Sequence, residues 1–153
     1  MHALIRRRPG GHVRAAPARI LVADGFKPWR QSVRSLLEGH AELWLVGEAV
    51  DGLEAVQKAR ELKPDLILLA IELAHLHGLE AAKQIHKIVP GATILFLTLH
   101  NETDVMQAAL DIGAKGYVLK VDAGSELWPA IETVLHGQPY ISSGLAGRVP
   151  TSP

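Results

Sequence analysis

Short apolar runs alternate with amphipathic stretches five times along this sequence, and that alternation limits the possible folds more than any other feature. Residues 66–71 are apolar without a polar interruption, which is typical of a strand buried on both faces. The other apolar runs are residues 20–23, 43–46, 93–97 and 116–119. After each run, apolar residues recur at the three- and four-residue spacing of a helix that packs one face on a core.

Signals for helix boundaries fall between these runs. Pro28 is placed where the first turn of a helix tolerates proline, and Asp51 can cap the second helix. Pro64, Pro90 and Gly113 stand where later helices should end. Regular alternation of strand and helix indicates a parallel sheet with helices on both faces. The sequence therefore predicts an α/β fold, a doubly wound parallel sheet of five strands.

Sheets of this kind bind their ligands at the carboxyl ends of the strands, near the point where the strand order reverses. In this sequence those ends are residues 23–25, 70–72, 98–100 and 119–120. We therefore expect any functional site to be formed by these four segments, which the fold should bring to one edge of the sheet.

The composition excludes several classes of protein. The 153 residues suffice for about one domain, and no stretch is long and apolar enough to span a membrane. Cysteine is absent, which excludes disulfides, thiolate catalysis and cysteine metal sites and fits a cytoplasmic protein. Five arginines lie within the first nineteen residues. The rest of the chain holds eleven basic against sixteen acidic residues, which argues against broad nucleic-acid binding.

The chain divides into three segments by composition. Residues 1–18 are rich in glycine, proline and arginine, which predicts a flexible basic leader. This leader lacks the apolar core of a signal peptide, so we expect no export. Residues 19–137 hold the alternating pattern and should form the domain, and residues 138–153 are predicted to be a C-terminal tail.

Five segments of the sequence, in their order and spacing, resemble the receiver domain of response regulators in two-component signalling. They are residues 20–24, 64–69, 78–81, 95–98 and 113–120. The pattern is most similar to receivers that precede a helix-turn-helix DNA-binding domain. The resemblance implies a flavodoxin-like (βα)5 fold over about residues 19 to 137. Because the sequence ends soon afterwards, we expect no DNA-binding output domain in this chain.

The resemblance also implies a phosphoryl-transfer site, and two of its positions are changed here. In the family, an aspartate at the end of the third strand accepts the phosphoryl group, beside a magnesium ion held by two acids after the first strand. Ala70 stands at the acceptor position and has no nucleophile. Gly25 stands at the second metal-binding position, while Asp24 matches the first. We therefore expect no catalytic residue, no cofactor and weak or lost magnesium binding, with Asp24 as the remaining candidate ligand.

Other family positions are kept. Thr98 and Lys120 match the hydroxyl and the lysine that contact the phosphoryl oxygens, and Tyr117 matches the switch aromatic. Asp24 either binds a cation or neutralises Lys120, whose ammonium would be costly if it were buried alone. Glu72 either partners Lys120, supplies a substitute ligand or is a solvated loop acid. Tyr117 either marks a protein-docking face or is an ordinary surface tyrosine.

Three histidines, His75, His77 and His100, should lie in loops around the same strand ends. With Asp24 or Glu72 they could form a transition-metal site, although solvated loop histidines are the simpler interpretation because the spacing matches no metal motif. No serine–histidine–acid arrangement or glycine-rich phosphate loop is recognisable. We therefore expect no enzymatic activity from this chain.

Three functional interpretations follow. The first is a degenerate receiver that is not phosphorylated and that signals by docking to a protein partner or to a second copy of itself. It would use the face of the fourth helix, fifth strand and fifth helix, or the first and fifth helices. The second is a sensor of a small molecule or ion, in which Lys120 and Thr98 favour an anion. The third is an ordinary receiver with an engineered Ala70, which would leave Gly25 unexplained.

Overall fold

The computed structural model describes residues 16–146 and, in addition, the backbone of residues 6–7 and 13–14. The backbone of Arg6–Arg7 pairs antiparallel with that of Val13–Arg14. Most of the predicted basic leader, residues 1–18, lies outside the described residues, as does the end of the predicted tail, residues 147–153.

A six-stranded parallel sheet lies at the centre of the described part of the chain. Its strands are β1 (Ala18–Ala23), β2 (Leu43–Ala49), β3 (Leu66–Leu69), β4 (Thr93–Thr98), β5 (Gly116–Leu119) and β6 (Tyr140–Ile141). The spatial order is β2-β1-β3-β4-β5-β6, and every neighbouring pair is parallel. The strand order reverses at β1, so the switch point lies between β1 and β3. The predicted doubly wound α/β fold is confirmed.

Helices follow the first five strands, as the sequence pattern predicts. They are α1 (Lys27–Glu38), α2 (Gly52–Leu62), α3 (Gly78–Ile88), α4 (Thr103–Ile112) and α5 (Ala123–Leu135). Asp51 caps α2 by accepting a hydrogen bond of 2.8 Å from the Glu54 amide. Gly113 ends α4 with a φ of 118°, a left-handed conformation that favours glycine. Within the described residues, none of the helices has the length and apolarity needed to cross a membrane.

Two apolar cores cover the two faces of the sheet. In β3, Leu66 and Leu68 face one core, whereas Ile67 and Leu69 face the other. All four side chains are buried, which confirms the prediction of a strand covered on both sides. Pairing with β1 fixes the register of this strand, and a backbone hydrogen bond to Ala23 holds the next residue, Ala70, at the carboxyl edge of the sheet.

The segment after α5 adds to the sheet beyond the five predicted strands. Tyr140 and Ile141 form the short strand β6 beside β5, and the one-turn helix α6 (Ser143–Ala146) follows. Leu145 of that turn is fully buried in the core. A strand of two residues is too short to give a hydrophobic period, so the sequence pattern could not indicate it.

Candidate functional site

The carboxyl ends of four strands bring the candidate residues to one edge of the sheet. Asp24 follows β1, Ala70 follows β3, Thr98 ends β4 and Lys120 follows β5. At this edge lies a cleft of about 490 Å³, here named the edge cleft. It is lined by Asp24, Gly25, Phe26, Trp29, Glu72, Leu99 and Lys120.

Asp24 and Lys120 form an ion pair at the base of the edge cleft. The Lys120 Nζ atom lies 2.7 Å from Asp24 Oδ2, and the two residues are only 7% and 5% exposed. The same ammonium lies 5.1 Å from the ring centroid of Trp29, within cation–π range. The Phe26 amide donates a 2.8 Å hydrogen bond to the other carboxylate oxygen, Asp24 Oδ1. Both oxygens of Asp24 are therefore engaged, and the charge of Lys120 is neutralised.

Gly25 lines the cleft and Ala70 follows β3 at the same edge of the sheet, and neither residue carries a side-chain functional group. The Ala70 amide donates to the Ala23 carbonyl at 3.0 Å, and its methyl group is 2% exposed. The backbone of Gly25 does not have a positive φ. A Cβ atom added to Gly25 would lie 3.4 Å from the Val50 carbonyl oxygen, which is an ordinary contact. Glycine is therefore not required at this position by backbone conformation or by space.

These residues do not fit a magnesium site. Magnesium takes near-octahedral oxygen ligands, with one or two carboxylates and the rest from water or phosphate. Asp24 and Glu72 are the carboxylates that line the cleft. Both oxygens of Asp24 already accept from Phe26 and Lys120, and Glu72 lies against the ring of His100. Among the residues that the structure describes, no group of three metal-ligating side chains is assembled.

Glu72, Thr98 and His100 form a second cluster across the ends of β3 and β4. The Glu72 carboxylate lies 2.9 Å from His100 Nε2, and the Thr98 hydroxyl reaches the same oxygen at 3.5 Å. The other ring nitrogen of His100 lies 2.9 Å from Glu102 Oε1. The Thr98 hydroxyl also accepts a 3.1 Å hydrogen bond from the His100 amide. Glu72 therefore contacts His100 and Thr98 rather than Lys120.

Tyr117 lies beneath this cluster and not at the surface. Its side chain is fully buried, and its hydroxyl donates a 2.8 Å hydrogen bond to the His100 carbonyl. The ring packs near Phe96, with the two centroids 6.2 Å apart. Burial raises the pKa of Tyr117 well above its usual value, and the charges of Glu102 and Glu72 raise it further. The expectation of a surface tyrosine is wrong, because β5 is an inner strand covered on both faces.

The turn after β5 connects the edge cleft to the end of the described chain. Lys120 begins a 3₁₀ turn, Lys120–Asp122, and Asp122 accepts a 2.8 Å hydrogen bond from the hydroxyl of Ser142. The Leu119 amide donates to that hydroxyl at 3.0 Å. Ser142 is fully buried, so these bonds are shielded from water. Sequence reasoning missed this contact, and its only signal was the serine directly after the apolar pair of β6.

Glu126 in the first turn of α5 holds the same C-terminal stretch. Its carboxylate accepts from the Tyr140 hydroxyl at 2.9 Å, from the Ser143 amide at 3.0 Å and from the Ser143 hydroxyl. The hydrogen bond from the Ser143 hydroxyl contributes most to the pKa of Glu126, and together with the Ser143 amide and Tyr140 it holds that pKa below its usual value against the opposing effect of burial. Burial, with the nearby Glu126 carboxylate, raises the pKa of Tyr140 to about 12.

The three loop histidines do not assemble into one site. His77 caps α3, because its Nδ1 atom accepts from the Leu79 amide at 3.2 Å. The ring of His75 lies 3.8 Å from Asp51, and His100 lies between Glu72 and Glu102. The histidine metal site considered from the sequence is therefore not formed by the described residues.

The chain is similar to proteins of known kind. The protein-family model of the response regulator receiver domain matches residues 20–132 of this chain. The transcriptional regulatory protein LiaR of Bacillus subtilis is 34% identical over 131 residues, which cover 86% of this chain and 62% of that protein. The transcriptional regulatory protein YdfI of the same organism is 32% identical over 131 residues, covering 86% and 61%. The chain thus spans about three fifths of the length of these relatives.

Two solved structures extend the likeness to the fold. A LuxR-family two-component response regulator from Aurantimonas superposes with a TM-score of 0.83 at 33% identity, covering 88% of this chain and 96% of that one. The response regulator domain of CheB from Thermotoga maritima superposes with a TM-score of 0.75 at 30% identity, covering 80% and 99%.

Proposed function

We propose that this chain, which belongs to the response-regulator receiver domain family, signals without phosphorylation of its own. Domains of this family are signalling modules of two-component systems and not enzymes. This chain would be a pseudo-receiver, whose state is set by the partner that it binds. One observation carries this proposal: a direct Asp24–Lys120 ion pair occupies the base of the edge cleft, at the same edge of the sheet where Ala70 follows β3.

The chemistry of the cleft supports the loss of phosphoryl transfer. A phosphoaspartate forms when a carboxylate oxygen attacks the phosphorus atom, and the methyl group of Ala70 offers no such oxygen. Phosphoryl transfer also needs positive charge to stabilise the oxygens of the transferred group. Lys120 is the cation at the cleft base, and its charge is already balanced by Asp24 at 2.7 Å.

The contacts of Thr98 and Tyr117 support the second part of the proposal, that the folded chain keeps a defined loop conformation which a partner can recognise. The Thr98 hydroxyl is held by the His100 amide, and the Tyr117 hydroxyl is held by the His100 carbonyl. These contacts fix the β4–α4 loop without any phosphoryl group. A protein partner would then read a surface that is formed as soon as the chain folds.

Two surfaces fit such a role. One is the face of α4, β5 and α5, and the other is the face of α1 and α5. The partner would be a signalling protein or a second copy of this chain, in the cytoplasm, with no membrane or nucleic acid contacted by this domain. The relatives are transcriptional regulators by name, and the process that this chain controls would be of the same kind.

The test is labelling with acetyl phosphate and Mg²⁺, followed by intact-mass measurement. The wild-type chain should gain no phosphoryl group. Ala70→Asp alone should label little, because Gly25 supplies no second metal-binding acid. The double variant Gly25→Asp/Ala70→Asp should label more, since it restores a second metal-binding acid and a Cβ atom at Gly25 meets only an ordinary contact.

Two outcomes would contradict parts of this proposal. A phosphoryl group on the wild-type chain would overturn it outright, whichever residue carries the label. Equal labelling of the single and double variants would show that Gly25 does not limit the chemistry and that Ala70 alone accounts for the loss.

A further inference from the structure

Exposed apolar side chains are concentrated along the carboxyl edge of the sheet. Five large ones follow the ends of β1, β2, β4 and β5, and the strand order places them in a row along one edge that is interrupted at β3. They are Phe26, Val50, Leu53, Leu99 and Val121. Soluble proteins rarely expose a contiguous apolar patch without using it for binding. Phosphorylation-independent signalling, as proposed above, does not by itself account for this row.

Two members of the row line the edge cleft itself. Phe26 is 58% exposed and Leu99 is 68% exposed, and both face the cleft together with Trp29. A cavity of about 490 Å³ lies within the range of small-molecule sites, which are mostly apolar with a few polar groups at fixed positions. The edge cleft has this composition, with aromatic and aliphatic walls above a polar base.

The polar base carries charges that are already paired. Lys120 lies 2.7 Å from Asp24, and Glu72 lies 2.9 Å from the ring of His100. A charged ligand that paired with Lys120 or Asp24 would displace the other member of that pair and leave its mostly buried charge without compensation, which is costly. Lys120, the cation expected from the sequence to bind an anion, is therefore already paired with Asp24. An uncharged ligand keeps both pairs intact.

We propose that the edge cleft binds a small, uncharged aromatic molecule. Its ring would pack against Phe26, Trp29 and Leu99, where offset or edge-to-face contacts between rings are favourable. A carbonyl group on the molecule would accept from Lys120, or a hydroxyl group would donate to Glu72, without breaking the Asp24–Lys120 pair. The inference deepens the proposed function and rests on it, because the cleft is open to such a ligand only if no phosphoryl group is built there.

The probe for this site is N-phenyl-1-naphthylamine, an uncharged aromatic whose fluorescence rises in apolar surroundings. We expect saturable one-site binding, with amide NMR shifts concentrated at Gly25, Phe26 and Leu99. Leu99→Glu places a charge at the cleft opening and should raise the Kd by roughly tenfold or more. Leu53→Glu is the matched control, because Leu53 is an exposed leucine of the same edge that does not line the cleft. It should leave the Kd unchanged.

The comparison probe is 8-anilinonaphthalene-1-sulfonate, which has similar rings and a negative charge. It should bind more weakly than the uncharged probe. Tighter binding of the sulfonate would overturn the inference, as would non-saturable binding or NMR shifts away from the cleft. Equal weakening by Leu53→Glu and Leu99→Glu would also overturn it and would assign the whole apolar row to a protein partner. Both exposed positions should tolerate the change, and thermal unfolding of each variant verifies this.

The same samples separate this inference from the proposed function. They are treated with acetyl phosphate and Mg²⁺ and weighed by mass spectrometry before the titration. A labelled wild-type chain refutes phosphorylation-independent signalling. An unlabelled chain that does not bind the uncharged probe refutes the ligand site alone.

Discussion

The two sides of the edge cleft differ in how much of the family's pattern they keep. We define the acceptor side as Asp24, Gly25 and Ala70, which follow β1 and β3, and the switch side as Thr98 and Tyr117 on β4 and β5. Of the three residues on the acceptor side, only Asp24 carries a carboxylate. Both residues on the switch side are fully buried and hydrogen-bonded.

Packing gives a physical reason for this difference. Thr98 and Tyr117 have roles in the fold that do not depend on phosphorylation, so replacing them would disturb the core or the β4–α4 loop. Clustered carboxylates repel one another and raise each other's pKa, so they contribute function at a cost in stability. Under the proposed function, Gly25 and Ala70 supply none of the carboxylates that phosphoryl transfer needs, whereas Thr98 and Tyr117 keep their hydrogen bonds. If that proposal holds, signalling chemistry and signalling shape can be lost separately.

Lys120 follows β5 and pairs with Asp24 after β1, so it links the ends of these two strands, and its replacement should have the largest effect. Lys120→Met leaves the buried Asp24 carboxylate without its cation, which should lower the free energy of unfolding by about 3 kcal/mol. Urea denaturation measures this loss. Lys115→Met is the control, because Lys115 is exposed, and it should change stability little.

A second substitution tests whether the loss comes from the unpaired charge. In Asp24→Asn/Lys120→Met the amide still accepts from Phe26 but carries no charge, so most of the lost stability should return. If Lys120→Met lowers the free energy of unfolding no more than Lys115→Met does, the Asp24–Lys120 ion pair does not stabilise the fold. The contact proposed to link the ends of β1 and β5 then has no energetic role.

The sequence predicted the fold well where the hydrophobic pattern is long and uninterrupted. The strand Leu66–Leu69 is recognisable from its unbroken apolar run, and the helix that begins at Gly52 is recognisable from the capping Asp51 before it. The positions of Asp24, Thr98 and Lys120 at one edge followed from the parallel topology alone. Their partners within that edge did not.

What could not be predicted depends on loop conformations and on very short elements. Glu72 and His100 are 28 positions apart, and their contact is set by two loops whose paths have no periodic signal. The burial of Tyr117 depends on β6 completing the sheet beside β5, and β6 has only two residues. The predicted boundaries of the leader and tail, at residues 18/19 and 137/138, remain predictions.

Tyr117→Phe should have an intermediate effect and tests the switch side alone. The ring still fills the core, but the His100 carbonyl loses its hydrogen bond, which should cost about 1 kcal/mol. Amide hydrogen exchange should quicken in residues 99–102 and remain unchanged around Asp24. Tyr140→Phe is the comparison, since it removes a hydroxyl that is bonded outside the cleft. Equal exchange changes in both variants would mean that Tyr117 does not hold this loop.

A smaller effect is expected at the C-terminal stretch when the pH falls. Hydrogen bonds from Ser143, followed by the bond from Tyr140, lower the pKa of Glu126, so the folded state favours the ionised carboxylate. This contribution is complete above the pKa of the unfolded chain, about 4.5. It is lost as the pH falls through the lower pKa of the folded state.

Amide exchange at Ser143, followed by NMR across that pH range, measures the effect. Protection at Ser143 should decline in acid, and Glu126→Gln should remove most of this dependence. Asp122→Asn separates the neighbouring acid, which accepts from Ser142. If protection at Ser143 is independent of pH in the wild-type chain, the carboxylate does not hold this stretch.

The smallest expected effect is that of magnesium on the wild-type chain, and it tests the acceptor side directly. Both oxygens of Asp24 accept from protein donors, and Gly25 and Ala70 offer no ligands. Millimolar Mg²⁺ should therefore leave the Tm unchanged, and EDTA should not destabilise the fold. In Gly25→Asp/Ala70→Asp, three carboxylates face one another, and Mg²⁺ should raise the Tm by binding the folded state. A rise of similar size in the wild-type chain would mean that Asp24 leaves Lys120 to bind the ion, and the acceptor side would then have kept more of its function than its residues indicate.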